Sequence, residues 1–174
     1  AHPADSEGKA VLAEIARFAS RSNTNQIVLV PDYDIEIARA LYGGCDVWLN
    51  NPIRPHEACG TSGEKAALNG VLNCSIADGW WADWYTEGIG WVIPTSDEPD
   101  PGRRDAEEAE ALHRILTGDV LRLFNGSPDG WWHVVQTMLA HLGPLVTAGR
   151  MVAEYDRRFY TPIRQAGPWG PARP

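Results

Sequence analysis

Residues 46–76 read DVWLNNPIRPHEACGTSGEKAALNGVLNCSI, and this stretch decides the fold class. It begins with a short strand-like run at Asp46–Leu49 and ends with a second one at Val71–Ile76, as is typical of buried parallel strands. Between these runs, Thr61–Gly70 has the composition of a helix that ends at a glycine. A strand, a helix and a strand in succession predict a βαβ unit, with a parallel sheet and a right-handed crossover.

The same alternation continues upstream of this stretch. Ser6 is predicted to cap a first helix, whose apolar residues recur at helical spacing. The apolar run Gln26–Pro31 predicts a further buried strand. Asp34 is predicted to cap a second helix, which ends at Gly43 and Gly44.

Downstream, Trp91–Pro94 predicts a weaker fourth strand, and Thr95–Arg104 predicts a surface loop because it is rich in Pro, Asp and Gly. The later apolar patterns are helical only, at 105–117, 119–125, 131–142 and 145–160. We therefore expect an α/β fold with three parts. Residues 1–94 form a partial Rossmann-like parallel sheet with helices, 95–164 a helical C-terminal part, and 165–174 a flexible tail. A doubly wound sheet usually has about five or six strands, so we expect a domain cut just after a strand.

Composition narrows the class of protein. The chain has 174 residues, of which 44% are hydrophobic and 22% charged, as in ordinary globular domains. Its net charge of −8 argues against nonspecific binding to nucleic acid or anionic lipid. No apolar run approaches the roughly 20 residues of a membrane span, and no signal-peptide pattern is visible. Cys45, Cys59 and Cys74 form no CxxC pair, so we expect reduced thiols in a cytoplasmic protein and no metal site.

The residues that carry chemistry lie in the loop and helix after the Asp46–Leu49 run. Gly60–Gly63 open a helix at the carboxyl end of a strand, where free backbone N–H groups and the helix dipole favour an anion. Lys65 lies one turn further on, where its amine would reach a phosphate or form a Schiff base. Glu57 is placed to accept hydrogen bonds from sugar hydroxyls. The alternative is a tight turn beside an ordinary surface lysine.

A nucleotide P-loop is excluded, because that motif needs GxxxxGK followed by Ser or Thr. Here Glu64 follows Gly63, and Ala66 follows Lys65.

The segment Glu57–Lys65 (EACGTSGEK) resembles the pyridoxal-phosphate motif of the glycogen (α-glucan) phosphorylases. That motif is approximately E-A-S/C-G-T-G/S-x-M-K followed by x-x-L-N-G, and Leu68–Gly70 completes it here. Other segments similar to the family are Asp32–Asp34, Asp46–Pro52, Asp78–Trp81, Arg150–Val152, Glu154, Tyr155 and Tyr160. The resemblance covers about Ala1 to Pro162, and Glu64 departs from it by replacing a residue that is usually Met.

This resemblance implies the second half of the C-terminal domain of a GT-B fold. It implies phosphorolysis, in which inorganic phosphate releases the terminal α-1,4 glucosyl unit of an α-glucan as glucose 1-phosphate. Pyridoxal phosphate would be held as a Schiff base, and its phosphate would serve as the acid/base group. The residues implied to bind the cofactor are Lys65, Tyr33, Thr61, Ser62 and Gly63. The residues implied to contact the glucosyl hydroxyls are Glu57, Cys59 and Gly60. The family's phosphate-binding arginine and lysine would lie upstream of Ala1, so we expect a homo-oligomer or association with that upstream polypeptide.

Two other hypotheses remain open. One is a noncatalytic remnant of the fold that binds glucan or another protein. The other is a GT-B nucleotide-sugar glycosyltransferase, which would use the same loop for a diphosphate.

Several further side chains are open to a functional and a structural interpretation. Trp80, Trp81 and Trp84 would form a sugar-stacking platform or fill the core, and we favour the core. Trp131 and Trp132 are also expected in the core, and Cys59 is expected to be a small buried side chain.

Overall fold

The fold is seen in a computed structural model, which describes residues 4–21 and 27–167. The chain divides into two compact units, Ala1–Arg39 and Ala40–Pro174, and each is described by itself. The tail predicted at 165–174 lies outside the described residues from position 168 onward. The domain limits expected from the sequence therefore stay a prediction.

In the first unit, helix α1 (Ser6–Arg21) is amphipathic. The prediction that Ser6 caps this helix is wrong, because Ser6 is its first residue. Instead, the Asp5 carboxylate accepts a hydrogen bond from the Gly8 backbone N–H at 2.8 Å. Asp5, one position earlier, thus satisfies one of the open N–H groups of the first turn. Asp34 does cap helix α2 (Ile35–Gly44), as predicted, because its Oδ1 accepts from the backbone N–H groups of Glu36 and Ile37.

The prediction of a strand at Gln26–Pro31 is wrong for residues 27–31, which are the part of this run that the structure describes. Gln26 lies outside the described residues, and residues 27–31 belong to no strand. Val28, at the centre of the run, is 75% exposed. An apolar run becomes a strand only when a neighbouring strand takes its backbone hydrogen bonds, and no described residue does so here.

The second unit is built on a three-stranded parallel sheet. Its strands are β1 (Val47–Asn50), β2 (Leu72–Ile76) and β3 (Gly90–Ile93), in the order β1-β2-β3. The register pairs Val47 with Leu72 and Ile76 with Ile93. The predicted parallel sheet is thus confirmed for its last three strands.

Helices connect and follow these strands, and several of them depart from the sequence prediction. Helix α4 was not predicted, and α5 begins at Pro101 within the expected loop because Asp100 caps it, accepting from the Arg103 N–H at 2.9 Å. The helices of this unit beyond α2 are α3 (Thr61–Leu68), α4 (Gly79–Trp84), α5 (Pro101–Arg114), α6 (Leu121–Gly126), α7 (Pro128–Leu142), α8 (Ala148–Tyr155) and α9 (Thr161–Ala166). Segments of π-helix, Ile115–Val120 and Asp156–Tyr160, join α5 to α6 and α8 to α9.

The core of the second unit lies between the sheet and α7. Every residue of β2 is buried, and Met138 of α7 packs in the same cluster as Trp80 and Trp81. The interpretation of Trp80, Trp81 and Trp131 as core residues is therefore confirmed. Trp132 is a correction, because it is 62% exposed: it follows Trp131 on α7, and adjacent helical residues face different directions.

Candidate functional site

Two loops at the carboxyl edge of the sheet are joined by hydrogen bonds. The loop that follows β1 donates from the Glu57 backbone N–H to Asp78 Oδ2 at 2.9 Å. The helix α4, which begins after the loop that follows β2, donates from the Trp80 backbone N–H to the Cys59 oxygen, also at 2.9 Å. Because both contacts lie just before α3 begins, they fix the position of that helix start.

Glycine is required at two positions of this helix start. Gly60 has a φ of 90°, and a Cβ there would lie 2.8 Å from Glu57 Oε1 and 2.9 Å from Trp80 Cδ1. A Cβ at Gly63 would lie 2.7 Å from Asn73 Oδ1. The first turn of α3 therefore packs directly on side chains of β2 and α4, at distances that no larger residue allows.

The start of α3 retains open hydrogen-bond donors. Its N-cap residue is Gly60, and no side chain caps the helix. The Gly63 N–H donates to the Gly60 oxygen at 3.1 Å, whereas the N–H groups of Thr61 and Ser62 find no acceptor among the described residues. Open N–H groups at the positive end of a helix dipole can bind an anion.

Lys65 is the one lysine of the second unit, and its side chain is exposed on α3. Its Nζ lies 6.0 Å from the centre of the Tyr42 ring, which in turn stacks on Trp48 with 4.7 Å between ring centres. Within the described part of the chain, Lys65 makes no ion pair. The amine is therefore held over an aromatic face and is accessible to a ligand.

Asn73 of β2 is hydrogen-bonded to the first turn of α3, and the sequence analysis did not identify it as part of the site. It is fully buried in β2, and its Nδ2 donates to the Gly63 oxygen at 3.1 Å. Its Oδ1 has no hydrogen-bond partner in the part of the chain that the structure describes. The available signal was a polar residue in the middle of the buried run Val71–Ile76.

Three carboxylates surround the loop before α3. Cys59 Sγ donates to Glu64 Oε1 at 3.9 Å, and the Asp78 carboxylate accepts from the backbone N–H groups of Glu57 and Gly79. Partial burial raises the pKa of the Cys59 thiol, and the charges of Glu64 and Glu57 raise that pKa further. Cys59 is nevertheless exposed, so the expectation of a small buried side chain is wrong. The loop residue faces outward because only its backbone oxygen is tied to Trp80.

Seven of the eight predicted site residues lie together within the second unit. The residues gathered around the α3 start are Glu57, Cys59, Gly60, Thr61, Ser62, Gly63 and Lys65. Tyr33 belongs to the first unit, where it is 59% exposed. Among residues 4–21 and 27–167, no group of three or more His, Cys, Asp or Glu side chains is arranged to hold a metal ion. Within the same residues, no helix has the length and apolar character needed to cross a membrane.

The fold and site define an α/β protein with an uncapped helix start and an accessible lysine at the carboxyl edge of its sheet. Comparison with known proteins shows which proteins have this stretch. The chain is 49% identical over 172 residues to a glycogen phosphorylase of Mycobacterium tuberculosis. It is 40% identical over 169 residues to a glycogen phosphorylase of Aquifex aeolicus, and 39% identical over 163 residues to a maltodextrin phosphorylase of Thermococcus litoralis. The chain is thus homologous to a segment of the α-glucan phosphorylases, and the resemblance seen in its sequence is confirmed.

These alignments include nearly all of the chain but a small part of each relative. They cover 95%, 94% and 92% of this chain, and 20%, 24% and 20% of the respective relatives. The chain therefore spans about a fifth of the length of the relatives it matches. No protein-family model matches the chain.

Proposed function

We propose that this chain is the cofactor-bearing part of an α-1,4-glucan phosphorylase. With inorganic phosphate, the whole enzyme would release terminal glucosyl units of an α-glucan as glucose 1-phosphate. The observation that carries the proposal is the position of Lys65, one turn inside a helix whose first N–H groups are open and uncapped. The names of the relatives support a phosphorylase over a nucleotide-sugar glycosyltransferase.

The residues at the α3 start fit pyridoxal phosphate. The open N–H groups of Thr61 and Ser62 suit its phosphate, and the accessible amine of Lys65 suits its aldehyde. Gly60 allows Glu57 and Trp80 to pack against the helix start, because it carries no side chain. When bound, the cofactor supplies a phosphate group that exchanges a proton with the substrate phosphate.

This chain's own residues would hold and orient the reacting groups. Lys65 would attach the cofactor covalently, and Thr61 and Ser62 would orient the cofactor phosphate. Gly63, also predicted in this role, already donates to Gly60 and would contribute less. Glu57 would accept hydrogen bonds from the glucosyl hydroxyls.

The same proposal includes three further residues, which would contact the sugar or the cofactor ring. Cys59 and Gly60 would contact the sugar beside Glu57. Tyr33 would pack against the cofactor ring, as the family resemblance implies.

The wider architecture follows from the same proposal. The three-stranded sheet would belong to a Rossmann-like domain, as the second half of the C-terminal domain of a GT-B fold. Residues 1–94 would form its α/β part, 95–164 its helical part and 165–174 its tail. The protein would act in the cytoplasm, as a homo-oligomer or together with polypeptide that covers the rest of the relatives' length.

Covalent trapping tests the proposal directly. The chain is mixed with pyridoxal phosphate, the absorption spectrum is recorded, and borohydride reduction fixes any linkage for peptide mapping. We expect the label on Lys65, and we expect it to be lost in Lys65→Ala. Lys9→Ala is the matched control, because Lys9 is the other lysine of the chain. Label on Lys9 alone, or none at millimolar cofactor, would contradict the proposal and favour the noncatalytic remnant.

A further inference from the structure

We propose that Glu64 weakens phosphate binding at the α3 start, so that this chain holds pyridoxal phosphate less tightly than it would with a neutral residue at that position. The inference rests on the proposed function, because it needs the cofactor phosphate to bind at the first turn of α3. Glu64 is also the residue at which the sequence departs from the family motif, where Met is usual.

The side chain of Glu64 reaches back towards the start of its own helix. Its Oε1 lies 3.9 Å from Sγ of Cys59, the residue that precedes the N-cap Gly60. Helical side chains lean towards the N-terminus, so this direction is the ordinary one for the first turn. The carboxylate therefore lies at the end of α3 where Thr61 and Ser62 offer their open N–H groups.

No salt bridge offsets this charge within the described part of the chain. Glu64 makes no ion pair there, and neither do its acidic neighbours Glu57 and Asp78. Asp78 anchors the loop through two backbone N–H groups, and Glu57 packs against Gly60. Glu64, by contrast, has the Cys59 thiol as its hydrogen-bond partner. Its charge therefore acts mainly on whatever occupies the helix start.

Two anions then compete for one helix dipole. The N-terminus of a helix carries about half a positive charge, which a first-turn carboxylate already neutralises in part. A phosphate with close to two negative charges is repelled by that carboxylate and gains less from the dipole. Removing the charge should strengthen phosphate binding by about three- to tenfold, with a smaller gain at high salt.

The test compares pyridoxal phosphate with pyridoxal, which has the same aldehyde and no phosphate. Each is titrated by absorbance into the full chain and into Glu64→Gln and Glu64→Met. We expect both variants to bind pyridoxal phosphate about three- to tenfold more tightly, and pyridoxal within about twofold of the parent chain. Glu110→Gln is the matched control, since it removes an exposed carboxylate from α5, and it should change neither affinity.

Each outcome decides between the proposals. A gain for pyridoxal phosphate alone, similar in Gln and Met, supports the role of the Glu64 charge. Equal gains for both compounds would show a packing effect and overturn the inference, as would unchanged affinities in both variants. Either result leaves the proposed function standing, provided that borohydride still places the linkage on Lys65. No linkage to Lys65 in the parent chain or in any variant would overturn both proposals.

Discussion

The Asn73 side chain, buried within β2, donates from Nδ2 to the backbone oxygen of Gly63 at 3.1 Å. This bond joins the middle strand of the sheet to the first turn of α3. Because Gly63 has no side chain, the strand and the helix approach closely enough for the bond to form. The sheet thereby sets the direction in which the open N–H groups of α3 point.

Gly63→Ala should destabilise the protein. A Cβ there would lie 2.7 Å from Asn73 Oδ1 and 2.9 Å from Trp80 Cζ2, so the core must shift to admit it. Overpacking of this kind costs about 1–3 kcal/mol, to be measured by chemical denaturation. Gly149→Ala in α8 is the control, because nothing lies within 4 Å of a Cβ at that site. It should stabilise the helix by about 0.5–1 kcal/mol, and equal stability of the two variants would contradict the packing argument.

Cys59 should react slowly with an alkylating reagent. Partial burial, together with the charges of Glu64 and Glu57, raises the pKa of the Cys59 thiol. The fraction of reactive thiolate at mildly alkaline pH is therefore lower. Glu64→Gln should bring that pKa down and speed modification by iodoacetamide. Peptide mass spectrometry measures both rates, and the two chains should react equally once unfolded. Equal rates in the folded state would show that Glu64 does not act on the thiol.

The rate of thiol modification should also be low at Cys74, for a different reason. Burial raises the pKa of its thiol to about 11, and the side chain is inaccessible within β2. We expect no modification of Cys74 until the chain unfolds. Its labelling under native conditions, at the rate of Cys59, would mean that β2 opens readily.

The 174-residue chain should release no glucose 1-phosphate by itself. Phosphorolysis holds two phosphate groups side by side, and their repulsion must be offset by fixed cations. Between Ala40 and Pro94 the sequence contains one arginine, Arg54, and one lysine, Lys65. We expect activity when polypeptide covering the rest of the relatives' length is supplied, and we expect Lys65→Ala to abolish it. Turnover by the chain alone, lost in Lys65→Ala, would instead establish a minimal phosphorylase.

The outer edge of β1 should promote self-association. β1 pairs with β2 on one side, and no described residue pairs with its other side. Open strand edges recruit further strands, and Leu49 adds apolar surface because it is 46% exposed. Sedimentation should show dimers or larger species at tens of micromolar. Leu49→Lys should weaken the association, whereas Thr86→Lys, which adds the same charge on an exposed loop, should not. A stable monomer would contradict the prediction.

Local sequence pattern was sufficient for the elements whose partners lie nearby in the chain. β1, α3 and β2 were predicted because each apolar run is followed within the same segment by the element that buries it. The run at residues 27–31 has the same apolar character and forms no strand. Strand formation depends on a hydrogen-bonding neighbour, which composition alone does not supply.

The candidate site was predictable in its residues but not in its supports. The motif Glu57–Lys65 pointed to the α3 start through its resemblance to the phosphorylase motif, whereas the spacing of its glycines and lysine alone left an ordinary turn open. Asn73 and Asp78 act through distances between separate segments, 3.1 Å to Gly63 and 2.9 Å to Glu57. Such pairings are set by the tertiary fold, and a local sequence pattern does not predict them.

Trp80 belongs at once to the hydrophobic core and to the walls of the candidate site. Its ring lies against the positions of Gly60 and Gly63, and its backbone N–H holds the oxygen of Cys59. The helix start therefore cannot loosen without opening the core beneath it. A substitution at Trp80 would therefore change the thermal tolerance of this unit and the shape of its candidate site together.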